Sequence, residues 1–204
     1  MIGTMNTSER NSPRVPTQAA EGLPRWRWTL EEFDRFIELG IFGDNDRVEL
    51  IGGELVPMSP KGARHDNLRI FLQIALQRRV AEGTAVLAEI GWRPDKAHYV
   101  EPDILVAHLS DSPVETPGRE ALLVVEIADS SLSYDLKIKP GVYAALGVAE
   151  YWVVDAAKLV AHVHREPSQA GYASVAVVPA EGELTALRIP GLALRIADLG
   201  LKPA

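Results

Sequence analysis

Apolar positions recur along this chain with two different periods, which separate helical segments from strands. From residue 30 onward, and again over residues 64–81, apolar side chains lie three or four positions apart, as on one face of an α-helix. Thr29 and Glu32 form a capping-box pattern at the start of the first segment. The stretch RVELIGGELVPM, residues 47–58, has two short apolar segments around Gly-Gly, which predicts a β-hairpin.

From about residue 85 the pattern becomes that of strands. The predicted strands are 85–93, 100–108, 121–129 and 150–155, followed by a β meander over 158–166 and 172–180. The strand at 121–129 is apolar nearly throughout, which is typical of a strand covered on both faces. One helix is predicted over residues 135–146. The pattern therefore predicts an α/β fold, with a mixed central sheet, flanking helices and an added C-terminal β meander.

Composition limits the class of protein. With 204 residues, 47% of them hydrophobic, the chain can bury a sizeable core, and we expect one domain over residues 25–204. Residues 1–24 are polar and contain three prolines, so we expect a flexible N-terminal tail without signal-peptide character. No apolar run reaches the roughly 20 residues of a membrane-spanning helix. Since the chain also lacks cysteine, disulfides and thiolate metal sites are excluded, and a cytoplasmic protein is expected.

The net charge of −7 argues mildly against nucleic-acid binding, because phosphate contacts need positive charge. Local clustering can override a global sum. One predicted helix is locally basic, and its arginines would form either a phosphate-facing patch or a solvated face. These arginines are Arg64, Arg69, Arg78 and Arg79.

Two carboxylates stand at the ends of neighbouring predicted strands. Asp103 follows Pro102, and Glu126 closes an apolar run. If the strands are adjacent, two such charges about 4 Å apart repel by about 4 kcal/mol at an effective dielectric constant of 20. They must then share a proton, pair with cations or hold a metal ion. Oxygen ligands in a chain without cysteine suit a hard cation such as Mg²⁺ or Mn²⁺.

The Pro-Asp pair followed by a Glu on the next strand resembles the PD-(D/E)XK nuclease superfamily. In that pattern a lysine stands two residues after the Glu, where this chain has Ala128. The wider series resembles one branch of the superfamily, the Uma2 family of restriction-endonuclease-like proteins. The residues that carry this resemblance, which covers about residues 25–200, are Glu126, Asp135, Lys139, Tyr143 and the segment GVAEYWVVD at 147–155.

The resemblance implies a metal-dependent endonuclease that hydrolyses DNA phosphodiester bonds. Asp103, Glu126 and the backbone carbonyl of Ile127 would bind Mg²⁺ or Mn²⁺. Lys139 would replace the missing lysine, and it would orient the attacking water or offset charge on the phosphate. Glu54 and His65 are candidate accessory residues. A homodimer is expected, since cutting two strands needs two sites and symmetry supplies them.

Several alternatives stay open at this point. Lys137 competes with Lys139, and Pro140 predicts that the helix either starts there or is kinked. Asp135 is predicted to be a helix N-cap rather than a metal ligand. The aromatic residues Tyr143, Tyr151 and Trp152 are expected in the core or an interface, and His162 and His164 form either a metal pair or part of an exposed strand face.

Two other functions compete with the DNA endonuclease. One is a nuclease fold that no longer cuts and serves as a binding or interaction module. The other is a metal-dependent hydrolase that uses the same carboxylates on a different phosphate ester.

Overall fold

The computed structural model describes residues 25–43 and 46–203. The predicted flexible tail, residues 1–24, lies outside the described residues. The helices are α1 (Leu30–Glu38), α2 (Ala63–Gln77), α3 (Leu132–Lys137) and α4 (Lys139–Ala145). The strands are β1 (Val48–Ile51), β2 (Glu54–Pro57), β3 (Thr84–Ala88), β4 (Trp92–Asp95), β5 (His98–Val100), β6 (Ile104–His108), β7 (Leu123–Ala128), β8 (Glu150–Asp155), β9 (Val160–Ser168), β10 (Gly171–Val178), β11 (Leu184–Thr185) and β12 (Ala193–Leu194).

A six-stranded mixed sheet forms the centre of the molecule, as predicted. Its strand order is β10-β9-β8-β7-β6-β3, with β7 and β8 parallel and the other neighbours antiparallel. Ile104 of β6 lies opposite Val125 of β7. Continuing this antiparallel register by one residue places Asp103 opposite Glu126. The strand pairing thus brings together two carboxylates that are far apart in sequence.

Both faces of β7 are covered, because all six of its residues are buried. On one face, Val125 and Ile127 belong to the same apolar cluster as Leu72 of α2. On the other face, Val124 and Ala128 share a cluster with Tyr143 of α4. Side chains alternate between the faces of a strand, so Glu126 points to the α4 side. In the described ranges, no helix is both long and apolar enough to cross a bilayer.

The predicted helix over residues 135–146 is wrong as one continuous element. α3 ends at Lys137, α4 begins at Lys139, and Ile138 lies between them. Pro140 is in the first turn of α4, where its missing N–H removes no intrahelical hydrogen bond. The break at Ile138 therefore lets Lys139 begin a new helix over the sheet.

The predicted strands 85–93 and 100–108 are each divided. The first predicted strand is divided into β3 and β4 after Ala88, where Glu89 has φ 51°. The second is divided into β5 and β6 by residues 101–103. The pieces β4 and β5 join the N-terminal hairpin in a separate four-stranded sheet of order β2-β1-β5-β4. The sequence pattern did not predict this second sheet. It matters for the candidate site, because β1 contributes a residue to it.

Two further predictions are confirmed by the structure. The capping box of α1 is present, with the Thr29 side chain accepting from the backbone of Glu32. The predicted meander is confirmed by the antiparallel pairing of β8, β9 and β10.

Candidate active site

The backbone of two neighbouring strands holds Asp103 and Glu126 side by side. Each residue is 3% exposed. The Ile127 N–H donates to Asp103 Oδ2 at 2.7 Å, and the Asp103 N–H donates to Glu126 Oε2 at 3.4 Å. The strand pairing thus fixes the two carboxylates relative to each other.

The Asp103 carboxylate has two further partners, one from the loop before α2 and one from the first turn of that helix. Lys61 Nζ donates to Asp103 Oδ1 at 2.7 Å, and also to Glu89 Oε1 at 3.0 Å. His65 Nε2 lies 2.9 Å from Asp103 Oδ2, and its Nδ1 lies 3.1 Å from Asp66 Oδ1. Since both ring nitrogens of His65 face carboxylate oxygens, the site favours the imidazolium form.

The Glu126 carboxylate is held from the opposite face by α4. Lys139 Nζ donates to Glu126 Oε1 at 2.7 Å, and the Tyr143 hydroxyl donates to the same oxygen at 2.6 Å. Lys139 and Tyr143 are four residues apart, so they project from one face of the helix. Lys139 is also 3.6 Å from Glu49 Oε1. The Lys139 residue is 7% exposed, and its ammonium is thus enclosed by carboxylates.

The two carboxyl groups have opposite pKa shifts. Burial alone would raise the pKa of Asp103, but the His65 hydrogen bond and the Lys61 charge hold it well below its usual range. For Glu126, burial raises the pKa, Lys139 lowers it and the negative charge of Asp103 raises it, and the net result is a pKa of about 8. Burial lowers the pKa of Lys139, yet the Glu126 and Glu49 charges outweigh it and raise that pKa above its ordinary value.

A cleft of about 70 Å³ opens above these groups. Its charged lining consists of the acids Glu49, Glu101, Asp103, Glu126, Asp129 and Asp135, together with Lys61, His65 and Lys139. Arg47 pairs with Glu101 and Arg64 with Asp129. Even with these arginines, six carboxylates face four lysine or arginine side chains and one histidine. The acidic side chains outnumber the basic ones by one, and because burial raises the pKa of Glu126, a bound cation would favour its ionised form.

The donor set of the cleft suits a hard cation, because it offers carboxylate oxygens. Ile127 also lines the cleft, beside Asp103 and Glu126. Within residues 25–43 and 46–203, no group of three or more His, Asp or Glu side chains has an arrangement that could hold a metal ion by itself. A cation in the cleft would therefore depend on two carboxylates, backbone oxygen and water, which is the way Mg²⁺ commonly binds.

The structure brings most of the predicted site residues together, with one exception. Asp103, Glu126, Ile127, His65 and Lys139 all line the cleft. Glu54 does not line it; its carboxylate pairs instead with Arg25 at 3.2 Å and Arg27 at 3.4 Å.

The two candidate lysines differ in position. Lys137 is exposed, whereas Lys139 is buried against Glu126.

The prediction that Asp135 is a helix N-cap is wrong, because Ser131 holds that position in α3. Asp135 is instead buried and accepts a hydrogen bond from the Ser131 hydroxyl. Ser131 and Asp135 both line the cleft.

Sequence reasoning did not assign Glu49, Lys61 or Tyr143 to the candidate site. Glu49 of β1 is 2% exposed and accepts from the Glu101 N–H at 3.0 Å, so the acid of the early hairpin that reaches the cleft is Glu49. Lys61 had no signal beyond its place before a helix. The spacing of Tyr143 from Lys139 was a signal, but its hydrogen bond to Glu126 was not foreseen.

The remaining aromatic and histidine residues have structural environments. Tyr151 and Trp152 are fully buried in the core, which was one of the two positions expected for them, the other being an interface. The His164 ring packs 5.3 Å from Tyr151 and 5.7 Å from Tyr172, and its Nδ1 faces the carbonyl of His162 at 3.2 Å. The geometry gives no support to a metal pair of His162 and His164.

Comparison with known proteins agrees with this fold. The structure resembles a crystal structure from Anabaena variabilis, described as a putative nuclease belonging to DUF820, with a TM-score of 0.62 and 17% sequence identity. The match covers 84% of this chain and 96% of the other. No curated protein matches the chain. A family model described as "Putative restriction endonuclease" matches residues 30–197, and the chain therefore belongs to the Uma2 family.

Proposed function

We propose that this protein is a nuclease that hydrolyses DNA phosphodiester bonds with the help of Mg²⁺ or Mn²⁺. The observation that carries the proposal is the pairing of two buried carboxylates, Asp103 and Glu126, at the base of an open cleft with two lysines. The matching family and the structural neighbour, both described as nucleases, support the nuclease class.

Asp103, Glu126 and the Ile127 carbonyl would hold the cation. A divalent cation bound there would lower the pKa of a water molecule and offset charge on the phosphate. The charge balance of the cleft supports this, because acids outnumber the basic side chains that face them. A DNA substrate also agrees with a cytoplasmic location for the protein, which cell fractionation would test.

The remaining side chains would position these groups. Lys139 keeps its ammonium 2.7 Å from Glu126, where it could offset negative charge on a phosphate oxygen. Lys61 places a second ammonium at Asp103, and with 14% of its side chain exposed it can reach a bound phosphate. His65 and Tyr143 would hold the orientation of Asp103 and Glu126 through their hydrogen bonds.

A nuclease fold that binds without cutting is the second candidate. One observation favours it: the chain itself already supplies donors to both carboxylates. Lys61, His65 and the Ile127 N–H engage Asp103, while Lys139 and Tyr143 engage Glu126. A network satisfied in this way persists without any metal.

Manganese titration by calorimetry distinguishes the two candidates, using the wild type, Asp103→Asn and Glu126→Gln. The nuclease proposal expects binding by the wild type and at least a tenfold weaker affinity in each variant. The control is Lys137→Met, an exposed residue on the neighbouring helix, which should bind like the wild type. Wild-type affinity in both carboxylate variants would contradict the proposed site.

Cleavage assays then test the reaction and its substrate. Duplex DNA, single-stranded DNA, RNA and a small phosphodiester should be compared with Mn²⁺, with Mg²⁺ and with EDTA. We expect cleavage of DNA that needs the metal and is lost in Glu126→Gln. Metal binding without cleavage of any substrate would favour the binding module, and turnover of the small ester alone would favour a different phosphodiesterase.

A further inference from the structure

The six-stranded sheet ends on one side in an open edge. Strand β10 pairs with β9, and among the described residues no strand pairs with its other side. An edge strand presents backbone N–H and C=O groups that another extended chain can pair with. This edge is eight residues long, which is about 26 Å at the usual rise per residue.

The side chains of β10 lack the usual protection of an edge. Proteins commonly place lysine, proline or inward-pointing charge on exposed edges, but residues 172–178, YASVAVV, contain none of these. Val175 is 53% exposed and Val177 is 62% exposed. Because they are two residues apart in a regular part of the strand, they form a short apolar row on one face.

We propose that β10 pairs in an antiparallel arrangement with β10 of a second copy of this chain, across a two-fold axis at Val175. The backbone edge requires an extended strand as its occupant. The sequence of β10 is complementary to itself in this register, because the small Ala173 lies opposite Val177 of the partner subunit. Ser174 lies opposite Ala176 of the partner subunit, and Pro179 ends the paired segment.

Electrostatics favour this place for contact between two copies. Each chain has a net charge of −7, so most pairings of their surfaces bring like charges together. The paired segments of β10 contain no charged residue, so self-pairing there adds no close repulsion. The result would be a continuous sheet of twelve strands with the apolar row of each copy packed against the other.

This dimer does not depend on the nuclease proposal. Strand β10 runs in the same direction as β7, since β7 and β8 are parallel and two antiparallel pairings follow. The two-fold axis reverses that direction in the second copy. The two candidate clefts would therefore open at opposite ends of the strands, and each would act alone rather than on the two strands of one duplex.

Sedimentation equilibrium of the full chain tests the interface. We expect about twice the chain mass of 22.3 kDa for the wild type, and a monomer for Val175→Lys combined with Val177→Lys. Two matched controls should remain dimeric: Ile74→Lys, on an exposed apolar patch of α2, and Leu109→Lys, which is 66% exposed elsewhere. A monomeric wild type, or dissociation by Ile74→Lys alone, would overturn the proposal.

A crosslinking experiment checks the register without relying on loss of assembly. Because the chain has no cysteine, Val175→Cys introduces a single thiol. On the two-fold axis its Cα atoms would be about 4.5–5.5 Å apart, which a disulfide can bridge. Mild oxidation should link Val175→Cys chains covalently at low concentration, but not Leu109→Cys chains. Equal crosslinking of both variants would contradict the proposed register.

Discussion

At the scale of single residues, the candidate site depends on how Lys139 is paired. Its ammonium is buried and contacts Glu126 at 2.7 Å and Glu49 at 3.6 Å. A buried ion pair contributes little beyond an apolar replacement, but removing one partner leaves the other as an uncompensated buried charge. The stability of the fold should therefore respond strongly to the loss of one partner.

We predict that Lys139→Met lowers the free energy of unfolding by about 3–5 kcal/mol, because it leaves Glu49 and Glu126 buried without the cation they share. Adding Glu126→Gln should recover part of that loss, by about 1–3 kcal/mol of coupling between the two sites. Urea denaturation of the single and double variants measures both effects. The control Lys137→Met, at an exposed position, should stay within about 0.5 kcal/mol of the wild type. Purely additive losses would contradict the pairing.

We predict that protonation of His164 lowers the stability of the fold at acidic pH. Burial lowers its pKa from 6.5 and outweighs the backbone hydrogen bonds of His162 and Tyr151, which raise it. The unfolded chain therefore takes up this proton more readily, and stability is lost as pH falls through 6.5 towards the lower folded pKa. His164→Phe keeps an aromatic ring between Tyr151 and Tyr172 but cannot titrate.

Urea unfolding at pH 7.5 and pH 5 measures this contribution. The loss of stability between the two pH values should be smaller in His164→Phe than in the wild type, whatever the variant's stability at pH 7.5. His108→Gln, at an exposed histidine, serves as the control and should show the wild-type difference. An unchanged pH dependence in His164→Phe would mean that His164 protonates without penalty.

At the scale of secondary-structure elements, the break between α3 and α4 decides the direction of Lys139. The first helix ends at Lys137, and Ile138 has φ −104° and ψ −55° before α4 begins. The new helix starts at the edge of the cleft, so Lys139 and Tyr143 both face Glu126. One continuous helix would have placed Pro140 in its interior.

We predict that Pro140→Ala changes the free energy of unfolding by less than about 1 kcal/mol, because proline in a first turn removes no hydrogen bond. If the helix were continuous, the same change would relieve a defect of about 3 kcal/mol. Ala144→Pro, beyond the first turn of α4, is the matched comparison and should cost about 3 kcal/mol or more. Thermal or urea unfolding distinguishes the two cases, and a large gain from Pro140→Ala would contradict the break.

At the scale of the whole molecule, the proposed DNA substrate would bring an acidic polymer to an acidic protein. The net charge is −7, and the cations at the cleft are already paired with carboxylates. Binding of DNA should therefore release few counterions. Any affinity would have to come from the cleft and its cation rather than from a broad basic surface.

We predict a shallow salt dependence of DNA binding. With about three phosphate contacts, log K should fall with log salt at a slope of about −2.7. Fluorescence anisotropy with Glu126→Gln, between 50 and 200 mM salt, measures the slope while cleavage is suppressed. Lys61→Met should make the slope shallower by about 0.9, the contribution of one phosphate contact. Lys96→Met, at a residue away from the cleft lining, should leave the slope unchanged. A slope steeper than about −6 would indicate a basic surface outside the cleft.

Local signals in the sequence determined the main elements and part of the site. Apolar periodicity located α1, α2 and the strands of the central sheet, because an amphipathic face repeats with the geometry of its element. The capping box at Thr29 depended only on neighbouring residues. Asp103, Glu126 and Lys139 were found because the order of residues along the chain resembles one nuclease family.

Only the tertiary structure decided which side chains meet. Pairing of β6 with β7 placed Asp103 beside Glu126, and the small second sheet delivered Glu49 rather than Glu54 to the cleft. Lys61 reaches Asp103 through a contact between residues 42 positions apart. Such contacts leave no local period in the sequence. They depend on strand register and on how a loop packs against a sheet, and the energies that set these are shared among distant parts of the chain.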